Sequence, residues 1–542
     1  MVCRFAAADA GLLGEVAEAA SRLASARLGL DMGWGVAADL GEGAACWVEY
    51  FPGGLHPACI QFTVQALQAA FAAAIAARSG DAADQRAADR ERALLDDNPA
   101  KDIFVQSRFL IAAARHADIP VHDIGGSNVG WQFGWGSRSD LFFMTASLGD
   151  SIPGHQLTWK KQLTKQVLLE LGLPTPQGCA LGPGDDAVQA AYAIGWPCVV
   201  KPVDQAFGIG VTANLQTPGE VNAAAAMARH YSHDILIEAH EAGADYRLMV
   251  VDGRLIAAVR RDPPAITGDG QRTIAALLAQ LNAGRDGTRA KGYLLPVEAD
   301  AALAATLASQ HLTMSSVLPT GDRLALRSIA NFSTGGSAVD VTDRVHPQVR
   351  GMAELLATAV GLRTAGIDYI TTDITRGHAE VGGGFIEVNA MPRLRLLMLD
   401  GRSEEEIGTL VLGERPGRIP VTLIVGSGDA LAELEAPARQ WAAATPGAAA
   451  AGASGVQVGA TPLPAAGLSP FTAVAAALRH RAVETLLILW SADDLALFGM
   501  PVDQAQRIIV IDKAVDAPWL SDICPDVVAV KSAAAALKAA LG

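Results

Sequence analysis

Apolar residues recur at helical spacing through residues 163–172, LTKQVLLELG, and Gly172 followed by Pro174 ends that helix. Residues 198–203, CVVKPV, read as a strand entering a turn that carries Gly208 and Gly210. Residues 234–261 predict strand, loop, strand, a tight Asp252-Gly253 turn and a third strand. A helix is expected over 349–361 and a long hairpin over 364–391, turning near His378. Upstream, residues 1 to about 155 mix Ala-rich helical patterns with short strands, and residues 131–144 read as strands around glycine turns. Strand patterns return at 418–426, 485–490 and 507–512, which suits a small parallel α/β domain. The expected fold class is therefore α/β, without any repeat of fixed period.

Three stretches carry no clear period. Residues 442–478 contain no charged side chain and suit either a flexible linker or small-residue packing. Residues 81–97 are a charge run, read as a solvated helix or loop. Residues 51–77 lack Asp, Glu, Lys and Arg, but Gln61, Gln65, Gln68 and Pro57 favour a partly buried amphipathic helix over a membrane span.

Composition narrows the classes. The chain has 542 residues, enough for three or four domains, and half are hydrophobic, so large cores are expected. Its 42 Lys and Arg against 57 Asp and Glu give a net charge of −15, with no basic cluster, which argues against nucleic-acid binding. Six scattered cysteines without a C-x-x-C pair argue against a disulfide framework or a structural zinc site and suit a reducing cytoplasm. The first residues do not read as a signal peptide, and no membrane association is expected.

Four segments carry candidate chemistry. In residues 365–392, Glu387 and Asn389 leave one face of a strand, and hairpin symmetry brings Asp368 within a residue of them. Three hard oxygen donors suit Mg²⁺, and a solvated polar face on an edge hairpin explains them equally. In residues 199–212, Lys201 ends an apolar strand and Gly208 and Gly210 follow; backbone N–H groups there can close on phosphate, or the lysine simply reaches the surface. In residues 237–251 the chain leaves a strand at Glu238 and re-enters at Tyr246. Its exposed backbone suits a purine edge, Asp245 a ribose and Arg247 a phosphate, or the same residues form a plain hairpin rim. In residues 326–343, Ser333, Thr334, Gly335 and Gly336 suit an anion-binding nest beside Asn331 and Arg327, or an ordinary loop.

Taken in order, these segments resemble the ATP-grasp ligases, and among them the cyanophycin synthetases. The strings that carry the resemblance are QLTKQVLLELGLPTP, VVKPVDQAFGIGVT, EAGADYRLMVVDGRLIAAVRRDP, GDGQRTI, ANFSTGGSAVDVTDRVHP, AGIDY and FIEVNAMPRLR, with EYFPGGLHPACIQFTVQALQAA and IPVHDIGGSNVGWQFGWG upstream, over about residues 45–400. The resemblance implies an N-terminal domain over 1–155 and an ATP-grasp domain over 156–400 with a lid at about 199–260. It implies that Lys161 and Lys201 bind ATP phosphates, that the backbone at Glu238 and Ala239 holds adenine, and that Asp245 holds ribose. Arg247 and Arg261 would contact phosphate, Asn331 would lie near the transferred phosphoryl, and Asp368, Glu387 and Asn389 would hold Mg²⁺. A homo-oligomer acting on small amino-acid or peptide substrates is implied as well.

The chain also departs from that pattern. The family's D-G-N-H-G-R-G turn here has Phe207 and Ile209 in place of the His and Arg, and the usual P-G-L-R is Pro392-Arg393-Leu394-Arg395. An Arg393 or Arg395 guanidinium is expected to meet a substrate carboxylate, or to be a plain surface arginine. The strand at 418–426 resembles the first strand of a Mur ligase, but the phosphate loop that should follow reads Gly426-Ser427-Gly428-Asp429-Ala430. Residues 401–542 are therefore expected to be a degenerate Mur-like domain, incompetent for ATP. The expected function is one carboxylate–amine ligation through an acyl phosphate, not alternating polymer synthesis. A non-catalytic nucleotide-binding or scaffolding partner is the alternative.

Overall fold

In the computed structural model the residues described are 105–542 apart from 125–129, 206–207, 286–293, 328–334, 465–469, 513, 515–519, 521–523 and 542. Before residue 105 they comprise three strands, Val2–Ala6, Trp34–Ala37 and Gly43–Val48, and scattered helical positions. Phe207, Asn331, Ser333, Thr334 and most of residues 51–97 lie outside the described residues. The chain divides into two compact units: residues 105–113 with 144–412, and residues 1–104 with 114–143 and 413–542. The expected 156–400 domain lies inside the first of these.

Besides a two-stranded sheet of Ala265–Thr267 and Arg323–Ala325, that unit contains two larger antiparallel sheets. One has five strands in the order Ser337–Asp340, Arg254–Asp262, Ala244–Val251, Thr364–Thr371, Gly384–Ala390. Period-two alternation gives it an apolar face of Tyr246, Leu248, Val250, Ala365, Ile367, Tyr369 and Val388. This face packs on Val349, Ala353, Leu356 and Ala357 of helix Pro347–Ala359. Each buried aliphatic side chain contributes about 2 kcal/mol, so the alternation fixes which face is left for chemistry. The Asp252-Gly253 turn forms as its sequence predicts, both residues taking positive φ (48° and 71°). The hairpin expected over 364–391 is also present, with the short helix His378–Val381 in its connection.

The other sheet has four strands in the order Thr212–Leu215, Cys198–Pro202, Ile235–Ala239, Gly178–Leu181. Cys198, Val200, Ile235 and Ile237 face helices Ala187–Ile194 and Pro218–Tyr231. The second helix starts at a T-P-G-E capping box in which the Thr217 side chain accepts from the Glu220 N–H and the Glu220 carboxylate accepts from the Thr217 N–H. With that face covered, Val199 and Lys201 are left to the opposite side.

The second unit is built on a seven-stranded sheet. Five parallel strands, in the order Ala448–Gly452, Thr485–Ser491, Val421–Gly426, Arg507–Ile511, Val527–Val530, continue into an antiparallel edge of Gly455–Val458 and Thr461–Leu463. For the described residues of the uncharged tract, 442–464 and 470–478, this decides in favour of small-residue packing. Every residue of Ala448–Gly452 is buried. Ala449 and Ala451 pack with Ala473 and Ala477 of helix Pro470–Arg479, and Ala450 packs with Ala438 and Ala442 of helix Gly428–Ala444. Helices thus cover both faces, as a parallel sheet requires. Residues 114–143 belong to the same unit: Arg418 pairs with Asp118 at 2.9 Å and lies 4.7 Å over the Trp135 ring. Among the described residues no helix is long and apolar enough to cross a membrane.

Candidate active site

The polar face of the five-stranded sheet is set by register. Arg247 lies directly opposite Asp368, and Asp368 directly opposite Glu387, so the three side chains form a row across three strands. Asn389 follows two residues after Glu387 on the same face, opposite Gly366. Asp245 lies opposite Arg261. Six of the side chains singled out from the sequence therefore share one face.

They are held by ion pairs. The Arg247 Nε donates to Asp368 Oδ1 at 2.6 Å, and Arg261 Nη2 reaches Asp368 Oδ2 at 3.0 Å while also donating to Asp245. Burial opposes ionisation of Asp368, but the two guanidiniums outweigh it and hold its carboxyl below the usual carboxylate range. Burial raises Asp245 despite Arg261. Withdrawal from water raises Glu387 as well, with Lys161 opposing and the neighbouring Asp368 charge adding to the rise. Gly366 is required by this packing: a Cβ there would lie 2.7 Å from the Pro392 Cβ and 2.8 Å from Arg247 Nη1. The Asn389 amide donates to the Gly366 carbonyl at 3.3 Å, which leaves its carbonyl oxygen as the potential ligand.

The four-stranded sheet and helix Lys161–Glu170 supply the cations. Lys201 is 4% exposed and pairs with Glu238, which is 3% exposed. Helix Lys161–Glu170 brings Lys161 and, one turn on, Lys165. Lys161 donates to the Gln205 carbonyl at the start of the glycine-bearing turn. Its ammonium is lowered by burial, with Glu387 the strongest opposing charge, and its helix packs against strand Gly384–Ala390, which carries Glu387. In the turn, Gly208 and Gly210 take φ of 74° and 70°, and a Cβ on Gly210 would meet Pro202 and Tyr231 below 3 Å. At the expected adenine backbone, the Ala239 N–H donates to Gln177 and the His240 N–H to Pro197, so those two donors are engaged within the chain.

Sequence reasoning missed Lys165. It is 8% exposed, pairs with Glu238 Oε2 at 3.0 Å, and donates to Thr175 Oγ1 at 3.2 Å and to the Pro176 carbonyl. Its four-residue spacing from Lys161 on one helix was the available signal. Burial would raise the Glu238 carboxyl, but Lys201 and Lys165 outweigh it and hold it low. Of the two arginines after the Glu387 strand, Arg393 is exposed and Arg395 half-buried.

The donor set fits a hard divalent cation: two carboxylates and an amide oxygen on adjacent strands, with the like charges of Asp368 and Glu387 facing each other. Among the described residues no three His, Cys, Asp or Glu side chains gather, so this trio is two acids plus Asn389.

No family model matches the chain. It is 35% identical over 306 residues to the cyanophycin synthetase of Trichormus variabilis, which covers 55% of this chain and 34% of that protein. It is 29% identical over 242 residues to the glutathione biosynthesis bifunctional protein GshAB of Desulfotalea psychrophila, covering 44% of this chain and 31% of that one. A crystal structure of a bifunctional glutathione synthetase from Pasteurella multocida superposes with a TM-score of 0.45 at 21% identity, over 66% of this chain and 51% of that one. The chain spans about a third of the length of the curated relatives it matches. In sequence it resembles the ATP-grasp ligases, with cyanophycin synthetases among its relatives.

Proposed function

We propose that the chain is an ATP- and Mg²⁺-dependent carboxylate–amine ligase that forms one amide bond on an amino-acid or small-peptide substrate. The observation that carries this is the row Arg247, Asp368, Glu387 on one sheet, with Lys161 at the start of helix Lys161–Glu170, bonded to the Gln205 carbonyl, and Lys201 on the four-stranded sheet. A carboxylate is a poor electrophile, being anionic and lacking a leaving group. Its oxygen attacks the γ-phosphorus of ATP, the bond to the β-phosphate oxygen breaks, and ADP leaves. An amine then attacks the acyl phosphate carbon, the C–O bond to phosphate breaks, and the amine proton passes to solvent or phosphate. Such transfer needs mainly positioning and charge neutralisation.

The residues divide that work. Lys161, Lys201, Arg247 and Arg261 hold the triphosphate oxygens, the arginines exchanging Asp368 for phosphate. Asp245 takes a ribose hydroxyl, and the turn at Gly208 and Gly210 closes over the phosphates. Asp368, Glu387 and Asn389 would hold Mg²⁺, which spreads the phosphate charge. Arg395, with Arg393, sits just past the Glu387 strand, where a substrate carboxylate would be met, and Asn331 belongs to the segment expected beside the transferred phosphoryl.

A single ligation is supported by the second unit. Where a phosphate loop would follow the central strand Val421–Gly426, Ser427 caps helix Gly428–Ala444 directly, its Oγ accepting from the Ala430 N–H, and Asp429 occupies the first turn. The test is release of ADP and phosphate in the presence of amino acids and dipeptides, scored by the mass of the condensed product. Turnover that requires both a carboxylate and an amine supports the proposal. Binding of MgATP without turnover would favour the non-catalytic reading.

A further inference from the structure

Three buried groups form a chain on one face of the four-stranded sheet: Lys201 and Glu238 from its strands and Lys165 from helix Lys161–Glu170. Each is at most 8% exposed. Lys201 and Glu238 leave the same sheet face, because Lys201 lies opposite Leu236 and Glu238 is two residues further along that strand. Lys165 comes from helix Lys161–Glu170 and takes the second carboxylate oxygen, Oε2, while Lys201 takes Oε1. A carboxylate bound to one lysine alone would form a neutral pair. Bound to two, it leaves the trio with a net positive charge, shared between Lys165 and Lys201. Lys165 is further engaged by Thr175 Oγ1 and the Pro176 carbonyl, whereas Lys201 bonds Glu238. Lys201 is therefore the ammonium able to offer the surplus charge to an anion.

The tether has a second consequence. The segment that Lys165 holds also accepts the Phe385 N–H at the Pro174 carbonyl, at 2.8 Å. Phe385 is two residues before Glu387 on the same strand. One buried ammonium thus ties the strand of Glu238 to the segment that docks the strand of the metal-ligand candidate.

We propose that Lys165 is a positioning residue for the nucleotide site: it shares Glu238 with Lys201, and so keeps the Lys201 charge available to a phosphate group and Lys201 correctly placed. This deepens the ligase reading and rests on it for the identity of the anion. Lys165 itself does not touch the nucleotide.

The test is calorimetry with MgADP and with MgATP on the full chain, alongside thermal unfolding of each variant. Lys165→Gln keeps a donor for Pro176 and removes the charge. It is expected to weaken nucleotide binding about tenfold, a loss set by quenching one nearby charge. In turnover the loss falls on the KM for ATP with kcat little changed. Lys165→Arg stays within about threefold of the wild type, since the charge is kept. The decisive variant is Lys165→Gln with Glu238→Gln, which removes the carboxylate that would quench Lys201. It is expected to bind nucleotide more tightly than Lys165→Gln alone, which loss of packing would not produce. Should Lys165→Gln fail to fold, the same comparison is made between Lys165→Met and Lys165→Met with Glu238→Gln, which likewise remove the charge. Unchanged affinity in Lys165→Gln, or a double variant no tighter than its single parent, overturns the proposal. A wild-type chain that binds no nucleotide overturns the ligase reading instead, so the two failures are told apart.

Discussion

Two turns in this molecule stand where a phosphate could be held, and they differ in the charges beside them. The turn after Lys201 carries Gly208 and Gly210 at positive φ and is fastened by Lys161 through the Gln205 carbonyl. The turn after Gly426 follows the central strand of a parallel sheet and opens a helix, the standard geometry for an anion. Yet it bears an exposed Asp429 and no lysine. Near the first turn, Lys161 bonds the Gln205 carbonyl, and Lys165 and Lys201 share Glu238 in its sheet. The lesson is that a fold supplies backbone geometry for a ligand, while the side-chain charges decide whether the ligand is held there.

The strongest way to break this contrast is at Glu387. Glu387→Gln is expected to lower turnover by about 100-fold or more, the scale for losing a metal ligand that neutralises transferred charge. The same change should raise thermal stability at pH 7. The Glu387 carboxyl is raised by withdrawal from water, with Asp368 adding to the effect, so the folded chain favours the neutral form. Its contribution is present below the ordinary carboxylate pKa and is lost as pH rises through the raised folded value. The advantage of Gln over Glu should therefore be seen in unfolding at pH 7 and shrink towards pH 4. A Glu387→Gln chain that turns over normally would remove the site from this face.

Next in size is Arg247→Met. It strips one guanidinium from Asp368, a carboxylate whose side chain is 11% exposed. Breaking a buried pair in this way costs about 3 kcal/mol, read from denaturant unfolding. Adding Asp368→Asn to Arg247→Met should return most of the stability and none of the activity. Loss of stability that the second change does not restore would mean that the arginine acts through packing alone.

The smallest effect is expected in the second unit. Asp429→Ala should leave turnover and nucleotide stoichiometry unchanged, at one ATP per chain. It removes only a favourable charge at a helix start, worth about 0.5 kcal/mol. A change in nucleotide binding on this substitution would show that the second turn is a site after all, and the comparison between the two would fail.

Much of the first unit was legible along the chain. The alternation over 234–261 gave strand, loop, strand, turn and strand because one face of each strand is buried and the other is not. Hairpin symmetry about His378 puts Asp368 opposite residue 388, near Glu387 and Asn389; the observed register, irregular at Asp368/Tyr369, sets it directly opposite Glu387 and so on their face. The tract at 442–478 was not legible, because alanine is compatible with a helix surface, a linker and a buried strand alike. Only packing between two helices distinguishes Ala448–Gly452 as the last of these. Lys165 was hidden for a related reason: a lysine on an amphipathic helix looks solvated until its carboxylate partner, 73 residues away in sequence at Glu238, is placed.

The sequence by itself determined which residue types are available and, through period-two alternation, which of them share a strand face. Register was decided only in three dimensions. Counting back from the Asp252-Gly253 turn puts Arg260 opposite Asp245. A bulge at Met249/Val250 shifts the pairing by one residue and places Arg261 there instead. Because side chains alternate, that one-residue shift sends Arg261 to Asp368 and leaves Arg260 on Asp262. A bulge is a compromise between the twist of two strands and the packing around them, and the strands that flank this hairpin, Thr364–Thr371 and Ser337–Asp340, lie far away in sequence.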